Sequence, residues 1–150
     1  MLVYRLPREP STPRITLWRK LRRLGVAQIV HGVVALPADG DTREQLEWLA
    51  EEVVQAGGEA TIWLSEPATA AEHRALAQAM TERVDVEYRA IAEAAQAAQS
   101  SGSVERRRTL ARLRRELRRV GARQYFPTRE AGAARKAVEA LARATAEAAA

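Results

Sequence analysis

The twelve residues VAQIVHGVVALP, at positions 26–37, constrain this chain more than any others. They are rich in β-branched side chains and broken at His31–Gly32, which reads as two short strands folded back on each other. A segment of helical period stands on either side. Leu17, Leu21 and Leu24 recur at helix spacing before Gly25, and Leu46, Leu49, Ala50 and Val53 line one face of a second helix before Gly57–Gly58. A weakly alternating MLVYRL opens the chain, and EATIWL follows the second helix. The pattern therefore predicts strands near residues 1–6, 26–30, 33–37 and 59–64, in the order β-α-β-β-α-β. Two βαβ halves back to back are the ferredoxin-like arrangement, an α+β sandwich that residues 1–64 suffice to build.

The connections carry their own signals. LPREPSTP holds Pro7, Pro10 and Pro13, which fix φ and withhold donors, so this stretch is loop. Ser11 or Thr12 is expected to cap the first helix, and Asp41 or Thr42 the second. Beyond residue 64 the chain reads as helix. Thr69 with Glu72 forms a capping box for a helix whose apolar stripe runs through Leu76, Met80, Val84, Tyr88 and Ile91 to about Gln99. SSGS (100–103) is a turn, a basic helix spans about 104–120, and a loop with Tyr125 and Phe126 leads to a last helix from about Thr128. That helix ends in the alanine-rich ALARATAEAAA, which is expected to fray. The organisation expected is a ferredoxin-like sheet over 1–64 and a helical C-terminal extension of about three helices over 65–150 packed on it, one structural domain overall.

Several kinds of chemistry have no residues to run on. There is no cysteine, hence no disulfide framework and no thiolate, and the cytoplasm is the simplest home. No apolar run approaches the roughly 20 residues that cross a bilayer, so no membrane contact is expected. MLVYRLPREP lacks the apolar core and cleavage site of a signal peptide. The two histidines are isolated, His31 at the hairpin turn and His73 on the apolar side of the third helix, whereas a metal site needs three or four convergent ligands. No nucleophile elbow or phosphate-cradling glycine loop occurs. We expect no enzyme, no catalytic residue, no metal and no cofactor.

Charge is where the sequence speaks about partners. The net charge is +5, but it is unevenly spread. Residues 1–37 carry seven basic side chains and one acidic, residues 38–100 four and thirteen, and residues 101–150 thirteen and five. In the first helix Arg19 and Arg23 lie opposite the leucine stripe, with Lys20 and Arg22 on its shoulders. ERRRTLARLRRELRRV (105–120) holds eight arginines. Leu110, Leu113, Leu117 and Val120 form its apolar face, Arg108, Arg112, Arg115 and Arg119 run opposite, and Arg107, Arg114 and Arg118 widen that stripe. Like charges at helix spacing repel by a few tenths of a kcal/mol per pair. Phosphates of a polyanion, the acidic 38–100 segment or plain solvation could each relieve this. Arginine suits bidentate contact with phosphate or carboxylate. The candidate nucleic-acid-binding residues are thus Arg19, Lys20, Arg22, Arg23, Arg108, Arg112, Arg115 and Arg119. No helix-turn-helix or zinc finger is recognisable, so base readout is not inferred.

YRLPREPSTPRITLWRKLRRLGVAQIVHGVVALP, followed by TREQLEWLAEEVVQAGGEA, resembles the N-terminal part of ChrB-type chromate-resistance proteins. The most specific portion is LP-x-x-P-S-x-x-R-x-x-x-W-R-x-L-R-R-L-G, and RQYF at 123–126 adds to it. A more distant similarity, confined to W-R-x-L-R-R-L-G…G-V…LP, connects the chain with the ferredoxin-like central domain of PaaX-type repressors. The resemblance implies a regulator of a chromate-efflux operon, a repressor released by chromate, with operator DNA as its partner. It also implies a C-terminal regulatory domain to which sensing is attributed, or a separately encoded partner, since this chain stops at Ala150 before that domain would begin. No chromate-binding residue carries over. A homodimer is expected, because a small sheet and alanine-rich helices bury modest apolar area. Arg14 and Trp18 of the signature are assigned to structure, nearer the buried side and ordering the proline loop. Two readings follow: a DNA-binding domain acting through arginine-rich helix faces, or a dimerisation and interaction module of the regulator without direct DNA contact. A remoter third is an arginine cage for the oxyanion itself.

Overall fold

The computed structural model describes residues 1–148. The chain is mixed α/β, with four strands and five helices in the order β1 (Leu2–Arg5), α1 (Thr12–Leu24), β2 (Ala27–Val30), β3 (Val33–Ala35), α2 (Gly40–Gln55), β4 (Glu59–Ile62), α3 (Ala70–Ala98), α4 (Ser103–Gly121) and α5 (Arg129–Glu147). The strands form one sheet ordered β2-β3-β1-β4, antiparallel at every pairing. Two compact units divide the described chain, Met1–Ala77 and Gln78–Ala148, the division falling inside α3.

In the first unit, α1 and α2 lay their apolar stripes on one face of the sheet. Leu2 and Val34 from the strands meet Leu17 and Leu21 from α1 and Leu46, Leu49 and Val53 from α2, each at most 5% exposed. Each such aliphatic side chain stabilises by roughly 1.5–3 kcal/mol relative to exposure. Leu2↔Val34 and Leu2↔Ile62 fix the register, and alternation brings Tyr4, Leu6, Leu36 and Ala60 to the same core. The hairpin turns at Gly32, whose φ of +78° is a left-handed conformation. A Cβ there would stand 2.5 Å from the Tyr4 carbonyl oxygen, so both backbone and space select glycine.

The helix starts refine the sequence reading. Ser11 occupies the cap position of α1 but its hydroxyl makes no capping bond. For α2 the cap is Asp39, not Asp41 or Thr42: Gly40 is already helical, so the capping position falls earlier than the acid–threonine pair suggests. The Thr42 amide donates to Asp39 Oδ1 at 2.8 Å, while the Asp39 amide donates to Thr42 Oγ1 at 3.2 Å. These bonds, the Thr42 amide foremost, hold the Asp39 carboxyl below the usual carboxylate range. The Thr69–Glu72 box forms as expected, with the Glu72 amide donating to Thr69 Oγ1 and the Thr69 amide to Glu72 Oε2. His73, one residue on, is exposed rather than on the apolar side; the buried stripe begins at Met80.

The second unit is built from α3, α4 and α5. Val84, Tyr88, Ile91 and Ala95 of α3, Leu113 and Val120 of α4, and Ala134, Val138 and Leu141 of α5 make one core. Alanines there let helix backbones approach, so a chain short of large side chains still packs. Helix α5 holds to Glu147, beyond where fraying was expected to begin, because Val138 and Leu141 are buried at 4% and 0% exposure. The final two alanines lie outside the described residues.

Candidate nucleic-acid interface

Leu110 and Leu113 with Val120 bury one side of α4, which forces the arginines between them outward. Arg107, Arg108, Arg112, Arg114, Arg115, Arg118 and Arg119 are all exposed. The helix carries six more basic than acidic side chains, Glu105 and Glu116 being its only acids. Arg112 reaches Glu116 one turn on, Nη1 to Oε1 at 3.0 Å. Among the described residues, Arg108, Arg115 and Arg119 make no ion pair. Arg118 and Arg119 sit in the last turn, where the negative end of the helix dipole favours cations.

The eighth arginine of the run is different. Arg106 is half-buried and donates from Nη1 to the Ala144 carbonyl at 3.1 Å and from Nη2 to the Ser101 carbonyl at 3.2 Å. It ties the turn before α4 to the end of α5. Nothing in the spacing of the arginines distinguishes it, since its acceptors are backbone carbonyls.

On α1 the expected set divides. Lys20 is taken by α2: its ammonium donates to both Glu52 carboxylate oxygens, at 2.6 and 2.7 Å. The guanidinium of Arg22 lies over the Trp18 ring, 4.8 Å from its centroid. Arg19 and Arg23 are exposed and, among the described residues, make no ion pair. Arg14 and Trp18 are not on the buried side. Both are exposed, Trp18 at 54%, because Leu17 and Leu21 alone of this helix point fully inward and Trp18 lies a quarter-turn away.

Several acids of the middle of the chain are engaged elsewhere. Glu87 pairs with Arg123, Asp85 accepts from the Thr128 hydroxyl, and Arg89 lies 3.7 Å from Glu130. Arg5 pairs with Glu59 and Arg43 with Glu47. Among the described residues, the Lys20–Glu52 bond is the only ion pair between this segment and the candidate cations of α1 and α4. What α4 presents is a dense cationic ridge on a rigid helix, fit for a run of anionic groups. No group of three or more histidine, cysteine, aspartate or glutamate side chains among the described residues could hold a metal. No helix among them is long and apolar enough to cross a membrane.

A family model described as "Protein ChrB, N-terminal" matches residues 14–101, from α1 to the turn before α4. The arginines of α1 lie inside the matched segment and those of α4 outside it. No curated protein and no solved structure matches the chain.

Proposed function

The chain belongs to the ChrB N-terminal family, and from that membership we propose that it acts, without catalysis, as the DNA-holding part of a chromate-responsive transcriptional regulator in the cytoplasm. The observation that carries this reading is the exposed α4 stripe, in which Arg108, Arg115 and Arg119 have no acidic partner among the described residues. From Arg108 to Arg119 the helix rises roughly 16 Å. At 3.4 Å per base pair that is the axial extent of about five base pairs. Arginines in such a ridge lie against phosphates and hold the protein's register without reading bases. Arg19 and Arg23 of α1 are exposed too but belong to a separate helix outside this ridge, and Lys20 is already neutralised by Glu52. We read the sheet as ferredoxin-like, a reading supported by the order β2-β3-β1-β4, in which each helix crosses between two strands that flank a third.

The test is a triple substitution, Arg108→Gln, Arg115→Gln and Arg119→Gln, which keeps helix propensity. Binding to a duplex from upstream of the gene and to an unrelated duplex is titrated at two salt concentrations. Loss of three phosphate contacts should lower the slope of log K against log salt by roughly 2.7. Unchanged affinity and slope on both duplexes would end the phosphate assignment for α4.

A further inference from the structure

All three tryptophans of the chain lie in the first unit and are more than half exposed, Trp18 at 54%, Trp48 at 64% and Trp63 at 57%. Indoles left in water are costly, and they are enriched where proteins meet. Two of them occupy matching positions on the helical layer. Trp18 stands in the outward stripe Ile15–Trp18–Arg22 of α1, with Ile15 48% exposed. Trp48 stands in the outward stripe Glu44–Trp48–Glu51–Gln55 of α2, spaced four, three and four. An open depression lined by Ala50, Glu51, Val54 and Gln55 runs beside it, with Val54 57% exposed.

The charges around the two indoles are opposite. Helix α1 carries five basic side chains and no acid; α2 carries five acids and only Arg43 against them. The helices are neighbours, bridged by Lys20 and Glu52, and they run in opposite directions because α1 feeds β2 while α2 leaves its antiparallel partner β3. A half-turn about an axis in this layer, parallel to the helices, places α1 over α2 and α2 over α1 at once. We propose that this layer is an interface for a second copy of the chain, α1 of each protomer seated on α2 of the other. Trp18, Ile15, Trp48 and Val54 form its apolar centre; Arg19 and Arg23 meet Glu44 and Glu51 around it. Both contacts relieve the like-charge crowding within each helix. DNA fits this layer poorly, since α2 would set its acids against phosphate, and an unrelated protein would have to supply both stripes that a second copy already has.

The experiment is sedimentation of the chain and two charge-reversal variants, Arg19→Glu with Arg23→Glu, and Glu44→Arg with Glu51→Arg. All four positions are exposed, and circular dichroism confirms that helix content is kept. The wild type should sediment as a dimer at about 100 μM, where a micromolar complex is formed. Each variant alone should weaken dimerisation at least tenfold, and an equimolar mixture of the two should restore it, because each reversed helix then faces one of opposite sign. Trp48→Gln should weaken it without changing any charge. A monomeric wild type would overturn the proposal, as would a dimer indifferent to both reversals or a mixture that stays monomeric. Monomers that lose DNA affinity on Arg19→Glu with Arg23→Glu would instead assign the α1 face to nucleic acid.

Discussion

The Tyr88 hydroxyl donates a 2.7 Å hydrogen bond to Gln124 Oε1, and Gln124 in turn donates from Nε2 to the Phe126 carbonyl at 3.1 Å. Through this pair the loop between α4 and α5 is fastened to α3. Tyr88 is 1% exposed, so the bond is sheltered from water, and the Arg123–Glu87 pair stands one residue along on each side of the contact. Arg123 and Gln124 of the RQYF phrase thus have places in the packing of the second unit.

Tyr88→Phe should destabilise the protein by about 1–3 kcal/mol, the cost of leaving a sheltered amide oxygen without its donor. Urea denaturation followed by circular dichroism reads it. An unchanged midpoint would mean that the loop is fastened by other contacts.

The phenols of Tyr4 and Tyr88 are both pushed above the usual tyrosine range by burial. A raised folded value means that the native state keeps its proton longer than the unfolded chain. The stabilisation is therefore complete below the ordinary phenol range and is lost as pH rises toward the folded values. Unfolding free energy measured between pH 9 and 11 should fall, less steeply in Tyr88→Phe. At the acid end the sign reverses: the contribution of Asp39 is complete above the ordinary carboxylate value and disappears as pH falls through its lowered one.

Gly58→Ala should be strongly destabilising, because the new Cβ would meet the Arg5 carbonyl oxygen at 2.4 Å and Val53 at 2.8 Å, and the first of these is backbone. Gly40→Ala, at the start of α2, meets nothing within 4 Å and should be neutral or stabilising by about 0.4–1 kcal/mol. Thermal melting of the two variants side by side checks the contrast; equal midpoints would contradict it.

Lys20→Met should change stability by less than about 1 kcal/mol, since both partners of its pair with Glu52 are about 40% exposed. It should leave the salt dependence of DNA binding untouched, because the ammonium is already held by a carboxylate. A reduced salt slope in this variant would return Lys20 to the phosphate-binding set.

Local patterns were legible in the sequence, and distant pairings were not. The β-branched runs and leucine stripes place every strand and helix, and the Thr69–Glu72 box and the outward face of α4 are read from residues three or four apart. The cap of α2 was misplaced because Asp39, Asp41 and Thr42 stand so close that composition alone ranks them equally. Lys20–Glu52 and Arg106 with the Ala144 carbonyl join residues 32 and 38 apart, and nothing in the local spacing announces them. Trp18 misled for a different reason: an indole beside an apolar stripe is usually buried with it, whereas here it stays in water with a guanidinium over its ring.

Strand β1, the first of the four in chain order, is an inner strand of the sheet. Its edges are filled by β3 and by β4, and Leu2 finds its outer partner only at Ile62. Until β4 is in place, this strand has unsatisfied amides on at least one side. Closing so long a loop costs entropy before any ladder bond repays it, while α4 and α5 need only their own neighbours in sequence. Refolding should therefore be biphasic, with helix signal recovering early and the environment of Trp63, adjoining β4, settling last. Stopped-flow circular dichroism and fluorescence recovering together in one phase would contradict that order.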